Sequence, residues 1–334
     1  MGYITIENIN SINVELTNYC NAACPMCARY FLDGKAKDKI INNAHTTLDF
    51  LIEKISSGII QNLKRFRSCG NLGDGAMNPE CLQIYEYIRK NNSTVHLSLH
   101  SNGGLRNKEF WQDLAKLKVS VVFAIDGLED TNHLYRRNVK WNKLYENMTA
   151  FIDAGGDAVW DMLVFKHNEH QVEECKTLSK KLGFNDFEYK NSSRWADFNS
   201  EGKWIDVNSI KVDNYVIEKS SAVGVDKIGS GGNSERLNIS ESDLKSKKIK
   251  CQAFDKWIEI YIAANGDVSP CCWLGDLKMH EAKNIIKDHN DVNLNYSSLD
   301  KILQGDFFNT LWQGIQGKEK AHRLLTCYFT CGLN

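Results

Sequence analysis

The first 193 residues switch repeatedly between two spacings of apolar positions. Ile12 to Leu16 alternates apolar and polar residues, which predicts a strand. Leu48, Leu51, Ile52, Ile55 and Ile59 recur at helical spacing and predict a helix from Thr46 to Ile60. Phe66 lies in a short second strand ending at Cys69-Gly70, and Pro79 opens a helix running to about Lys90, since proline suits a first helical position. Val95 to Leu99 alternates again and ends in Ser101-Asn102-Gly103-Gly104. A helix over Phe110 to Leu117 leads into Val119 to Ile125, so nearly continuous in apolar residues that it predicts a strand covered on both faces. Helices at Trp141–Ala154 and Gln171–Leu182 and strands at Ala158–Phe165 and Phe187–Tyr189 complete the series.

These are six strand–helix repeats of about 30 residues each, the period of parallel βαβ units. They fall short of a full closed barrel and predict an α/β fold: an open, partial (β/α)6 barrel with its working face at the carboxyl ends of the strands. The loops holding Cys20–Cys27, Gly70–Asn78, Ser101–Gly104 and Asp126-Gly127 all follow strands, so all four belong on that face. The pattern weakens over 194–250, where Gly229 to Glu235 reads as a polar linker or a cover over the barrel face. From Cys251 a small α+β unit is predicted over 251–334. Trp257 to Ala263 alternates, Asn265-Gly266 is a hairpin turn, Val268 starts a return strand, and Ser298 to Ile315 is helical.

The 334 residues are 42% hydrophobic and 25% charged, with a net charge of −1, so no global basic field draws the chain to nucleic acid. No apolar run reaches the roughly 18 residues of a membrane span, and the first residues lack a secretory signal. Eleven cysteines in a chain of this length suit metal-bound thiolates in a reducing, cytoplasmic compartment better than a disulfide scaffold.

Three of those cysteines, Cys20-Asn-Ala-Ala-Cys24-Pro-Met-Cys27, stand C-x3-C-x2-C just after the first strand. Three thiolates can hold three corners of a cubane iron–sulfur cluster and leave one iron open to a small molecule. A zinc site is the alternative, but zinc sites pair two C-x2-C units or add histidines, and the chain has no second C-x2-C.

The run resembles the signature of the radical S-adenosylmethionine (SAM) enzymes, whose fold is a partial six-unit barrel. The resemblance implies that Cys20, Cys24 and Cys27 hold a 4Fe-4S cluster whose open iron chelates the methionyl amino and carboxylate groups of SAM. Reductive cleavage would then give a 5′-deoxyadenosyl radical that takes a hydrogen atom from the substrate. An electron donor such as flavodoxin or ferredoxin is implied too. Met26 stands where the family usually has an aromatic residue against adenine, and as a soft apolar side chain it can fill that gap. Gly73 and Asp74 resemble the turn that binds the methionyl amino group, with Asp in place of the usual Glu. Ser101 and Asn102 resemble the ribose loop, and Asp126 a residue near ribose or substrate. His133 and Arg136 resemble a segment whose arginine contacts the cofactor carboxylate, and Asn168 a position near adenine. Asp126 and Cys69 are also the candidate catalytic side chains, although packing is the weightier reading of Cys69. Cys81 and Cys175 read as buried apolar residues.

Cys251, Gly266 and Cys271 read C-x14-G-x4-C, which resembles the opening of the SPASM auxiliary-cluster domain. The remaining cysteines fit its shortened form, twitch. This implies one auxiliary 4Fe-4S cluster on Cys251, Cys271, Cys327 and Cys331, with structural zinc on the same thiolates as the alternative. Cys272, next to a ligand, is expected to point to the other face. The implied function is modification of a peptide or protein. The first strand begins near residue 12, which leaves no room for a preceding leader-binding domain, so dehydrogenation of a small molecule such as an aminosugar stands beside it. A non-catalytic metal-binding module is the third reading.

Overall fold

The computed structural model describes residues 3–37, 41, 43–192, 194–201, 203–221, 247–275, 281–318 and 323–333. Six strands, β1 (Ser11–Val14), β2 (Arg65–Ser68), β3 (His96–Ser101), β4 (Val119–Ala124), β5 (Ala158–Val164) and β6 (Asp186–Asn191), run parallel in sequence order. Between them lie helices α1 (Leu48–Lys54), α2 (Ser57–Asn62), α3 (Cys81–Asn91), α4 (Lys108–Lys116), α5 (Asn132–Tyr135), α6 (Trp141–Asp153) and α7 (Val172–Leu182). This is the expected partial α/β barrel. Val119, Val121, Phe123, Ala158, Trp160 and Met162 are all fully buried beneath the helices.

Two expectations for the barrel change. The single helix over 46–60 is two helices, because Ser56 adopts an extended conformation and caps α2 by accepting from the Ile59 N–H. Apolar spacing alone does not see that cap. The strand expected to be covered on both faces is covered on one: Val119, Val121 and Phe123 are buried, whereas Ser120, Val122 and Ala124 are only half-buried, on the opposite face of an open sheet.

After β6 come two antiparallel pairs, β7 (Ala196–Phe198) with β8 (Trp204–Asp206) and β9 (Ser209–Val212) with β10 (Tyr215–Glu218). Their contacts reach loops that follow β1, β4 and β5. The Ser200 N–H donates to Asp33, Arg137 pairs with Asp213, and the Ser221 N–H donates to Glu169. They therefore lie against the carboxyl-end face. The Gly229–Glu235 stretch read as a linker is outside the described residues.

The C-terminal unit contains β11 (Lys248–Ile249), β12 (Glu259–Ile262), β13 (Val268–Ser269), α8 (Leu299–Gln304), α9 (Asp306–Ile315), α10 (Leu325–Cys331) and β14 (Gly332–Leu333). Gly305, extended at φ −73° and ψ 167°, splits the helix expected over 298–315. The β12–β13 hairpin joins the barrel sheet: β12 pairs parallel to β1, with Ser11 opposite Glu259 and Val14 opposite Ile262. The sheet order is β13-β12-β1-β2-β3-β4-β5-β6. No helix among the described residues is long and apolar enough to cross a membrane.

Candidate functional site

The cysteine loop leaves β1 through Thr17, whose hydroxyl donates to the Ala44 carbonyl and accepts from the Tyr19 N–H, each at 3.0 Å. Arg29 donates to the carbonyls of Asn18 and Leu72, tying this loop to the one after β2. The Cys27 N–H closes a turn onto the Cys24 carbonyl at 3.0 Å. Cys24 is buried; Cys20 and Cys27 are half-buried. Burial, Asp74, Cys24 and Cys27 all push the Cys20 thiol up. Burial pushes Cys24 up to about 12, with the Arg136 guanidinium pulling the other way and Cys27 pushing further. Cys20 and Cys24 are both pushed toward the neutral thiol by burial and by neighbouring groups, and a cationic cluster bound among the three sulfurs would favour the thiolates. Among the described residues no three His, Cys, Asp or Glu side chains close on the position of a single metal ion. The structure thus provides a donor set that fits a cluster, not a finished coordination shell.

The loop after β2 packs on the start of the cysteine loop through backbone, the Asp74 N–H donating to the Tyr19 carbonyl at 2.7 Å. Gly73 permits it: a Cβ there would stand 1.9 Å from the Thr17 carbonyl oxygen. Asp74 is buried and organises the loop after β3. Its carboxylate accepts from the Ala76 N–H at 3.0 Å, the Ser101 hydroxyl at 3.0 Å and the Asn102 N–H at 2.8 Å. Burial raises its pKa against those bonds. Asn102 in turn donates to Asn21 at 2.8 Å and reaches the Cys20 Sγ at 3.8 Å.

Asp126 and Arg136 form a second arm. Arg136 Nε donates to Asp126 at 2.6 Å, and Arg136 Nη1 lies 3.8 Å from the Cys24 Sγ. The other Asp126 oxygen accepts from the Leu163 N–H at 2.7 Å. Burial pushes the Asp126 carboxyl up and the guanidinium pulls it down. The two groups are bound to each other in a buried site, so removing either would leave the other without its partner. Asn168 is fully buried, accepts from the Phe165 N–H and donates to the Asp126 and Leu163 carbonyls, so its amide braces the ends of β4 and β5. Met26 is 3% exposed and part of the core. His133 is not brought to the cysteine loop: it is exposed on α5, its ring beside the Glu129 carbonyl.

Sequence reasoning missed three groups. Glu15 is 1% exposed and accepts four hydrogen bonds, from the Asn71, Leu72 and Gly73 N–H groups and from the Tyr261 hydroxyl. Its signal was a charge inside an apolar run, Val14-Glu15-Leu16. Arg29 carried no signal. His100, on the concave side of β3, is pushed down to about 4 by burial, against the pull of Asp161 and with the push of Arg67 and Lys190. Asp161 on β5 itself pairs with Lys190 on β6 at 2.8 Å.

The C-terminal cysteines converge as well. Cys327 and Cys331 sit four apart on α10, hence on one helix face. The α10 N-terminus is fixed by Glu281, which accepts from the Leu325 and Thr326 N–H groups. The Lys250 N–H bonds the Cys331 carbonyl at 2.8 Å, and β11 pairs with β14, bringing Cys251 alongside. Cys251, Cys271, Cys327 and Cys331 line one small cavity with Phe254 and Leu311. Burial and the neighbouring Cys331 push the Cys327 thiol up to about 12. This donor set also fits a cluster. Cys272 turns to Cys69 at the end of β2, and the two thiols share a hydrogen bond. Cys81 and Cys175 are fully buried.

Residues 14–178 match the model of the radical SAM superfamily, and residues 251–332 that of an iron–sulfur cluster-binding domain. No curated protein matches the chain. Among solved structures, Streptococcus suis SuiB is similar at 15% identity and a TM-score of 0.51, over 81% of this chain and 62% of that one. SuiB bound to precursor peptide SuiA gives 14% identity and a TM-score of 0.57 over 95% and 68% of the two chains. The anSMEcpe structure with bound AdoMet and Cp18Cys peptide gives 14% and 0.56 over 96% and 88%. This chain thus spans less than two thirds of the first SuiB chain and more of the other two. At such identities the likeness is one of fold. Together with the two matched models and the two thiol sets, it places the chain in the radical SAM superfamily, with a C-terminal iron–sulfur cluster-binding domain.

Proposed function

We propose that the protein cleaves SAM reductively and uses the resulting radical to modify a peptide or protein. The observation that carries this reading is the three-thiol set of Cys20, Cys24 and Cys27, placed at the carboxyl end of β1 between two polar arms, Asn102 and Arg136. When bound, a 4Fe-4S cluster and SAM supply a one-electron cleavage that yields the 5′-deoxyadenosyl radical.

The chain's own residues prepare the place. Asp126 fixes the Arg136 guanidinium beside Cys24, ready for an anionic carboxylate. Asp74 holds Ser101 and Asn102 in one orientation, with the Asn102 backbone tied down and its amide facing the cysteine loop. The β7–β10 segment lies against the same face, where it would help to shield bound SAM from water. Cys251, Cys271, Cys327 and Cys331 would hold one auxiliary 4Fe-4S cluster, and a flavodoxin or ferredoxin in a reducing cytoplasm would supply the electron. The peptide assignment draws on the solved relatives with bound peptides, SuiB with SuiA and anSMEcpe with Cp18Cys.

The test is anaerobic reconstitution with iron and sulfide, followed by dithionite and SAM. Release of 5′-deoxyadenosine is expected, together with deuterium transfer into it from a labelled peptide substrate. Iron-loaded protein that released none would overturn the reading; label arriving only from small polyols would move the substrate to the aminosugar class.

A further inference from the structure

Three consecutive backbone N–H groups rarely converge on one side chain in the same protein. Asn71, Leu72 and Gly73 do so at 2.9, 2.9 and 2.8 Å, all on the Glu15 carboxylate. Such a run of N–H groups forms a concave anion site. Here the anion is the protein's own, supplied from the end of β1. Gly70, at φ +63°, starts the bend. In a trans peptide the carbonyl points opposite to its N–H. The carbonyls of Gly70, Asn71 and Leu72 therefore face away from Glu15. Arg29 takes that of Leu72, which leaves the Gly70 and Asn71 carbonyls without a backbone donor among the described residues. Two outward carbonyls, in a loop that Arg29 ties to the cysteine loop, suit an ammonium group.

The fourth donor to Glu15 is the Tyr261 hydroxyl, at 2.7 Å, from β12 of the C-terminal unit. Tyr261 is 1% exposed. The loop is thus set from two sides: by β1, which leads into the first cysteine run, and by the hairpin that leads into Cys271.

We infer that Glu15 is a positioning residue for SAM, holding the N–H groups of residues 71–73 so that the Gly70 and Asn71 carbonyls receive the methionyl ammonium, and that Tyr261 fixes Glu15 from the auxiliary unit. This rests on the proposed SAM chemistry and on the loop after β2 as the amino-group site. Glu15→Gln is nearly isosteric but sets an NH2 group against N–H or O–H donors. Tyr261→Phe keeps the ring and removes one bond.

The experiment compares the parent with both variants. Hydrogen exchange of the peptide covering 70–75, measured without SAM, should speed up in Glu15→Gln and to a lesser degree in Tyr261→Phe. In reconstituted protein the KM for SAM should rise about tenfold or more in Glu15→Gln, with full iron content and kcat within about twofold of the parent. The SAM-induced change in the EPR signal of the reduced cluster should require correspondingly more SAM. Variants that match the parent in exchange and in SAM response overturn the inference. So does a kcat loss with an unchanged KM. Should Glu15→Gln fail to fold, Tyr261→Phe decides alone by the same readouts. A parent that loads iron yet shows no response to SAM defeats the proposed function instead, and the exchange result still reports on Glu15.

Discussion

The two thiol sets are built differently. Around Cys20, Cys24 and Cys27 the neighbours are polar: the Asn102 amide 3.8 Å from one sulfur and the Arg136 guanidinium 3.8 Å from another. Around Cys251, Cys271, Cys327 and Cys331 the wall is mostly apolar, with Phe254, Leu274, Leu311 and Ile315 beside Thr326 and Thr330. Three anchors beside fixed polar groups leave a position that a charged small molecule can enter and leave. Four anchors in a mostly apolar wall close a site and keep its ligands in place. On the proposed function, the difference would separate a centre that handles a substrate from one that holds charge or structure.

The sharpest way to break this comparison is to remove one sulfur from each set. Cys24→Ala should abolish 5′-deoxyadenosine release, and undiminished release would remove Cys24 from the ligand set. Cys327→Ala should lower iron from about eight to about four atoms per chain, while the remaining cluster still cleaves SAM. Full iron in that variant would show that Cys327 is not a required ligand. Zinc in the second set with iron in the first would keep the asymmetry but change its meaning.

The polar arm by the first set offers the next test. Asp126 is fully buried and Arg136 16% exposed on its side chain. Asp126→Ala strands a buried guanidinium, and urea unfolding should show a loss of about 3–5 kcal/mol. Adding Arg136→Met should recover part of that loss. Two single-variant losses that simply add would show that the pair does not act as a unit. Gly73→Ala should follow, with a loss of about 1–3 kcal/mol from overpacking, because its methyl group would meet backbone at Thr17 rather than a side chain able to turn away. Stability equal to the parent's would show that the two loops can part without cost.

Much of this was legible in the sequence because the information was local. The C-x3-C-x2-C run, the strand–helix period and the Cys327-x3-Cys331 spacing each depend on neighbours a few residues apart, whereas the helix that carries the last pair was not foreseen. Ser56 and Gly305 were local too, but they act through capping and backbone conformation, which apolar spacing does not register. Glu15 with Tyr261, and Cys69 with Cys272, are contacts made only after β12 pairs with β1. A hairpin signal at Asn265-Gly266 announces the antiparallel partner β13 and says nothing about the parallel one. Asp74 carries a part its motif did not announce: the three described hydrogen bonds of its carboxylate organise the loops after β2 and β3.

The mildest effect concerns the concave side of the sheet, which lies outside both thiol sets. The half-buried residues of β4 show that this side is not packed like the helix side, and His100 stands on it, facing Asp161, Arg67 and Lys190. Its imidazole titrates near 4 in the folded protein against 6.5 unperturbed. A folded pKa below the unfolded one means that the unfolded chain binds more protons between those values, so stability falls as pH drops from 6.5 toward 4. His100→Gln removes this contribution, and its stability should decline less steeply than the parent's across that window. The comparison must be made in urea at several pH values, since the carboxylates titrate in both proteins and cancel in the difference. Parallel curves would mean that the imidazole is solvated like an exposed one, and that the concave side is wetter than the position of His100 between β2 and β6 implies.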